Sequence, residues 1–111
     1  MKMKSENYDH VTVISCAGDV TTDDLEPLKK LVSERLENGG RDFVLELNET
    51  EFIDSMTLET LLWIQEQADE RLGQLRLAGP TENVRRILHV TRLEHHFDTH
   101  TDVETALKSL R

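Results

Sequence analysis

The chain has 111 residues, 37% of them hydrophobic, enough for one compact core and too few for two ordinary domains, so a single domain spanning residues 1–111 is expected. Its formal net charge of −9, from 22 acidic and 13 basic residues, disfavours direct contact with nucleic-acid phosphate or an anionic lipid surface. No stretch has the apolar length of a membrane span and the opening Met-Lys-Met-Lys-Ser-Glu lacks the apolar segment of a secretory signal, so a cytoplasmic protein without membrane insertion is expected.

In chain order, Val11-Thr-Val-Ile-Ser-Cys-Ala17 is rich in β-branched residues and closes at Gly18, the pattern of a strand. Met1 to Glu6 suits a short antiparallel partner, joined through Asn7 to His10. Cys16 is the only cysteine, which excludes an internal disulfide or a multi-cysteine metal cage, and its apolar neighbours predict a buried structural thiol. Asp23 or Asp24 can then cap a helix in which Leu25, Leu28, Val32 and Leu36 recur at helical spacing, with Pro27 in the tolerant first turn and Gly39-Gly40 as the stop.

Phe43-Val-Leu-Glu-Leu47 is nearly continuous in apolar residues, as in a strand covered on both faces of a parallel sheet. A helix is expected from Ser55 to Leu72. Leu75 to Ala78 reads as another strand, ended by Gly79-Pro80; Thr81 then caps a helix carrying Val84, Ile87 and Leu88 on one face. Phe97 to Thr101 suits a last strand. Thr101-Asp-Val-Glu104 fits a capping box, followed by the stripe Val103, Ala106, Leu107 and Leu110. Strands alternating with helices predict an α/β fold: a mostly parallel sheet of four or five strands, an antiparallel N-terminal edge and about four helices.

The junction between the second strand of this alternation and its helix carries the main functional signal. With Asp54 as N-cap, its carboxylate faces the orphan amides of Met56 or Thr57, and Ser55 becomes the first helical residue. Ile53 and Leu58 fall at the two positions of a hydrophobic staple, which supports the same register independently. Open parallel sheets place their sites beyond the carboxyl ends of their strands, where Ser55 stands. A phosphoryl group there would be favoured by the helix dipole and opposed by the charge of Asp54. From local physics alone, a serine that merely assists the cap is the simpler and favoured outcome.

Five segments, Ala17-Gly-Asp-Val-Thr21, Phe43-Val-Leu-Glu-Leu-Asn48, Phe52-Ile-Asp-Ser55, Leu75-Arg-Leu-Ala-Gly79 and Asp102 to Leu110, fall in the order and spacing of STAS domains, and the chain resembles the bacterial anti-sigma factor antagonists over nearly its whole length. The resemblance implies a switch. Ser55 would be phosphorylated by an anti-sigma factor serine kinase, and only the unphosphorylated form would bind that kinase and release the sigma factor. Asp19 and Asp54 match acidic residues around the phosphoacceptor, and Met56, Thr57 and Thr60 would complete the docking face. No cofactor is implied, because ATP would sit in the kinase. Members commonly carry Ser or Thr and then Gly after the phosphoacceptor; here stand Met56 and Thr57, and a branched side chain in place of glycine predicts altered docking. Glu46 replaces the usual Asp on the preceding strand. Scaffold or accessory STAS subunits, as in stressosomes or lipid-transport assemblies, are the alternative within the fold, with other STAS proteins as partners.

His89, His95, His96 and His100, with Asp98, invite a metal site or a small enzyme. The adjacent pair His95-His96 would point apart and no His-Glu-x-x-His pattern is present, so no metal or catalytic residue is assigned. Arg85, Arg86 and Arg92 read as a solvated helix face. Trp63 lies in the apolar run Leu62 to Ile64, expected either at the sheet edge or in a protein contact.

Overall fold

The computed structural model describes residues 1–110. Its elements are β1 (Lys2–Tyr8), β2 (Val11–Ala17), a 3₁₀ turn (Thr22–Asp24), α1 (Leu25–Glu37), β3 (Asp42–Glu49), α2 (Ser55–Glu70), β4 (Leu75–Ala78), α3 (Glu82–Val90), β5 (Asp98–His100) and α4 (Val103–Lys108). The five strands lie in chain order across one sheet; β1 and β2 form an antiparallel hairpin, and every later pairing is parallel. Each parallel step needs a crossover, which α1, α2 and α3 supply.

Period-2 alternation divides the sheet into two faces. Ile14, Cys16, Phe43, Leu45, Leu47, Leu75 and Leu77 join the buried faces of α1, α2 and α3 in one core. Val13, Val44 and Ala78 point the other way and meet Ala106 of α4, with Val103, Leu107 and Leu110 around it. The continuous apolar run of β3 is explained by this: its alternate residues serve two cores. Arg76, buried on β4, holds the end of α4 by donating to the Ser109 hydroxyl at 3.0 Å, and pairs with Asp98 of β5 at 3.1 Å.

Several expected boundaries move. β1 runs to Tyr8, and the hairpin turns on Asp9 and His10 with Asp9 at φ 55°. Asp24 precedes α1 without capping it; its carboxylate turns back to accept the Thr21 N–H at 2.9 Å and closes the 3₁₀ turn instead. α2 ends at Glu70 rather than Leu72, because Leu72 takes the left-handed region at φ 60°. β5 omits Phe97, which is buried in the main core. α4 is capped by Asp102, not by a box starting at Thr101: the Asp102 carboxylate accepts the Thr105 N–H at 2.8 Å. An anionic acceptor one residue later satisfies the orphan amide and shifts the helix start.

Candidate functional site at the start of α2

The path from β3 to α2 is short and held at nearly every residue. The Thr50 hydroxyl reaches the Gly18 carbonyl at 3.0 Å, and the Thr50 carbonyl accepts the Thr81 hydroxyl at 2.9 Å. Asp19 accepts the Phe52 N–H at 3.2 Å, the Phe52 carbonyl accepts the Val20 N–H at 3.1 Å, and Ile53 forms a one-residue parallel bridge with Val20. Ile53 is 2% exposed, so a buried side chain precedes the cap.

Asp54 caps α2 in the expected register. One carboxylate oxygen accepts both the Thr57 N–H at 2.8 Å and the Thr57 hydroxyl at 2.7 Å; the other accepts the Thr22 hydroxyl at 3.1 Å. The Thr57 hydroxyl, then its N–H, and Thr22 more weakly hold the Asp54 carboxyl below the usual aspartate range. Asp54 therefore stays anionic while bonded to two elements.

Ser55 follows at the first position of α2, exposed, and its hydroxyl bonds to no other group among the described residues. Three residues before it and one after it in the chain stand two exposed apolar side chains, Phe52 at 49% and Met56 at 46%. Phe52 is absent from the expected docking residues. Its signal was available in the sequence as the one aromatic residue between β3 and α2.

The residues named from the sequence separate into two groups. Asp19 and Asp54 bond the segment that carries the exposed Ser55 and Met56. Thr57 and Thr60, expected on the docking face, are 2% and 3% exposed, and this corrects their placement. Helical geometry turns Thr57 inward, where its hydroxyl lies 3.2 Å from the Val20 carbonyl as well as against Asp54; the Thr60 hydroxyl donates to the Met56 carbonyl at 2.9 Å. The branched side chain in place of glycine thus adds no bulk to the surface, and the departure at this site reduces to Met56. A shallow depression beside it is bounded by Lys29, Met56, Glu59, Thr60 and the half-buried Trp63, which packs its inner side on the core.

The histidines do not converge. His89 Nδ1 meets Glu94 at 2.9 Å, His95 lies 3.7 Å from the same carboxylate, and the His96 carbonyl accepts from Gln65. Among the described residues no three His, Cys, Asp or Glu side chains come together as metal ligands. Arg86 pairs loosely with Glu82 at 3.7 Å on the exposed face of α3, and Arg85 reaches back to the Pro80 carbonyl. Burial, followed by the Asp24 carboxylate, pushes the Cys16 thiol up to about 12, an unreactive core thiol.

The STAS domain family model matches residues 2–106. The chain belongs to the STAS domain family. Solved structures similar to this STAS domain include a provisionally identified anti-sigma factor antagonist from Thermotoga maritima, 24% identical with a TM-score of 0.89 over 98% of this chain and 94% of that one. The anti-sigma factor antagonist SpoIIAA in its unphosphorylated form superposes with a TM-score of 0.87 at 18% identity, covering 99% and 96%. An anti-sigma factor antagonist from Mycobacterium paratuberculosis gives 0.84 at 23% identity, covering 99% and 93%. At these identities the likeness is one of fold, including the antiparallel N-terminal pair and the parallel remainder. Comparison with curated protein sequences finds no match. Among the described residues no helix is long and apolar enough to cross a membrane.

Proposed function

We propose that this STAS domain is an anti-sigma factor antagonist switched by phosphorylation of Ser55. The observation that carries the reading is the unengaged Ser55 hydroxyl between exposed Phe52 and Met56, at a helix start whose cap is fixed independently of it. SpoIIAA, a protein of the same fold, has been solved in both unphosphorylated and phosphorylated forms.

In this reading the unphosphorylated surface docks on an anti-sigma factor serine kinase through Phe52 and Met56, and the kinase is thereby withheld from its sigma factor. The kinase supplies ATP. The Ser55 oxygen attacks the γ-phosphorus, the bond to the β-phosphate bridging oxygen breaks, ADP leaves, and the hydroxyl proton passes to a base of the kinase. The product carries about −1.5 to −2 charge beside the Asp54 carboxylate. The free amides at the α2 start favour that charge locally, so the fold is retained, while the apolar contact surface becomes anionic and releases the partner. Asp54 and Asp19 act through the backbone they hold: Asp54 sets the α2 register and Asp19 orients Phe52.

Incubation with the cognate kinase and ATP tests this, read by intact-mass spectrometry and peptide mapping. Gain of one phosphoryl group on Ser55, absent in Ser55→Ala, is expected; a gain that persists in Ser55→Ala sinks the assignment. A second reading rests on Met56, larger than the Ser or Thr common there: the same patch would dock constitutively in an assembly of other STAS proteins or as an accessory subunit. A stable complex unaffected by phosphorylation, recovered on the wild-type domain and lost in Phe52→Ser, would favour it.

A further inference from the structure

The sheet has two edges of different kinds. β5 spans three residues, too few to template a partner strand, whereas β1 spans seven, pairs with β2 without a bulge and contains no proline. Six of its seven residues are exposed. A two-residue hairpin loop closes on a hydrogen-bonded pair, here Tyr8 and Val11. By alternation Tyr8, Glu6, Lys4 and Lys2 turn their backbone groups toward β2, and Asn7, Ser5 and Met3 turn theirs outward. Among the described residues these outward groups have no backbone partner.

We infer that β1 pairs antiparallel with β1 of a second copy of this chain, about a two-fold axis at Ser5, joining two five-stranded sheets into one. The register follows from charge. The outward-facing backbone of Met3, Ser5 and Asn7 allows three central registers. Centring on Lys4 also sets Lys2 against Glu6 twice but puts Lys4 against Lys4 on the axis, and centring on Glu6 sets Glu6 against Glu6. Centring on Ser5 sets Lys4 against Glu6 twice, Lys2 against Tyr8 twice, and Met3 against Asn7 twice. Lys4 and Glu6 then occupy non-hydrogen-bonded pairs, where side chains approach most closely, and the outward groups form about six interchain hydrogen bonds. Lys2 and Lys4 against one Glu6 also make this strand locally basic in a molecule of net charge −9, so two copies meeting here repel less than their net charge implies. The pairing requires nothing of Ser55.

Sedimentation velocity of the full chain from about 1 μM to about 1 mM tests the inference, with a monomer–dimer equilibrium expected in that range. Lys4→Glu alone and Glu6→Lys alone each place like charges across the axis and should weaken the dimer about tenfold. The double variant Lys4→Glu/Glu6→Lys should restore it, and mixing the two single variants should yield a heterodimer. Ser5→Pro removes an outward N–H while leaving the bonds to β2, so it should be monomeric with unchanged circular dichroism. A monomer at every concentration overturns the inference, in which case the charged edge only deters aggregation. So does a dimer that both single charge variants leave intact. If Ser5→Pro misfolds, the charge variants decide alone.

Discussion

Helices α2 and α4 start on the same local device. Each has an aspartate N-cap and, three residues on, a threonine whose N–H donates to that carboxylate at 2.8 Å, and both carboxyls are held below the usual aspartate range by their threonines. The surroundings differ. Asp54 also holds Thr22, is preceded by buried Ile53 bridged to Val20, and is followed by buried Thr57. Asp102 stands on an exposed loop, its Thr105 is exposed, and its helix has six residues. A cap is thus a local arrangement available anywhere in the chain. A surface that holds one side chain in a fixed place for a partner needs the residues before and after the cap anchored to other elements.

The largest effect should come from removing that anchor. Ile53→Ala deletes a buried staple residue and is expected to cost about 2–5 kcal/mol in urea denaturation, against a smaller loss for the half-buried Val103→Ala at the α4 start. Equal losses would dissolve the contrast between the two helices.

Next comes the cap itself. Asp54→Ala should cost about 1–2 kcal/mol, since it orphans the Thr57 amide and releases Thr22, and Asp102→Ala should cost less. The same contrast has a pH signature. Because the native Asp54 pKa lies below the unfolded value of about 3.9, its contribution is present above that value and is lost as pH falls through the native one. Between about pH 5 and pH 2, Asp54→Asn should flatten the stability curve. A curve parallel to wild type would mean that the cap is not formed in solution.

The smallest change in stability should follow Ser55→Asp. Exposed at the first position of α2, where negative charge is favoured, it should shift stability by no more than about 0.5 kcal/mol while abolishing kinase binding. Lost stability equal to that of Ile53→Ala would show that Ser55 is part of the fold and not a surface group.

Much of this was legible in the chain. The periodicity of Leu25, Leu28, Val32 and Leu36, the apolar run of β3 and the Ile53/Leu58 staple all specify local structure through side-chain spacing, and each stands where the spacing puts it. The start of α4 was displaced by one residue because Thr101 and Asp102 are both competent caps, and only the competition for one amide decides between them. Thr57 and Thr60 were misplaced for a different reason. The resemblance placed both on the docking face, yet the Thr57 hydroxyl turns inward to the Asp54 carboxylate and that of Thr60 to a carbonyl of its own helix.

By itself the sequence determined the alternation of strands and helices, the single cysteine's burial and the position of Ser55 at a helix start, since all three are read from side-chain patterns spanning a few residues. Tertiary structure decided which neighbours that helix start shares. Asp19, Thr22 and Val20 lie more than thirty residues from their partners Phe52, Asp54 and Thr57, and no local pattern encodes their meeting. They are brought together because the parallel pairing of β2 with β3 carries the segments after both strands to the same end of the sheet. That juxtaposition leaves Phe52 and Met56 exposed close in the chain to a serine hydroxyl that has no partner among the described residues.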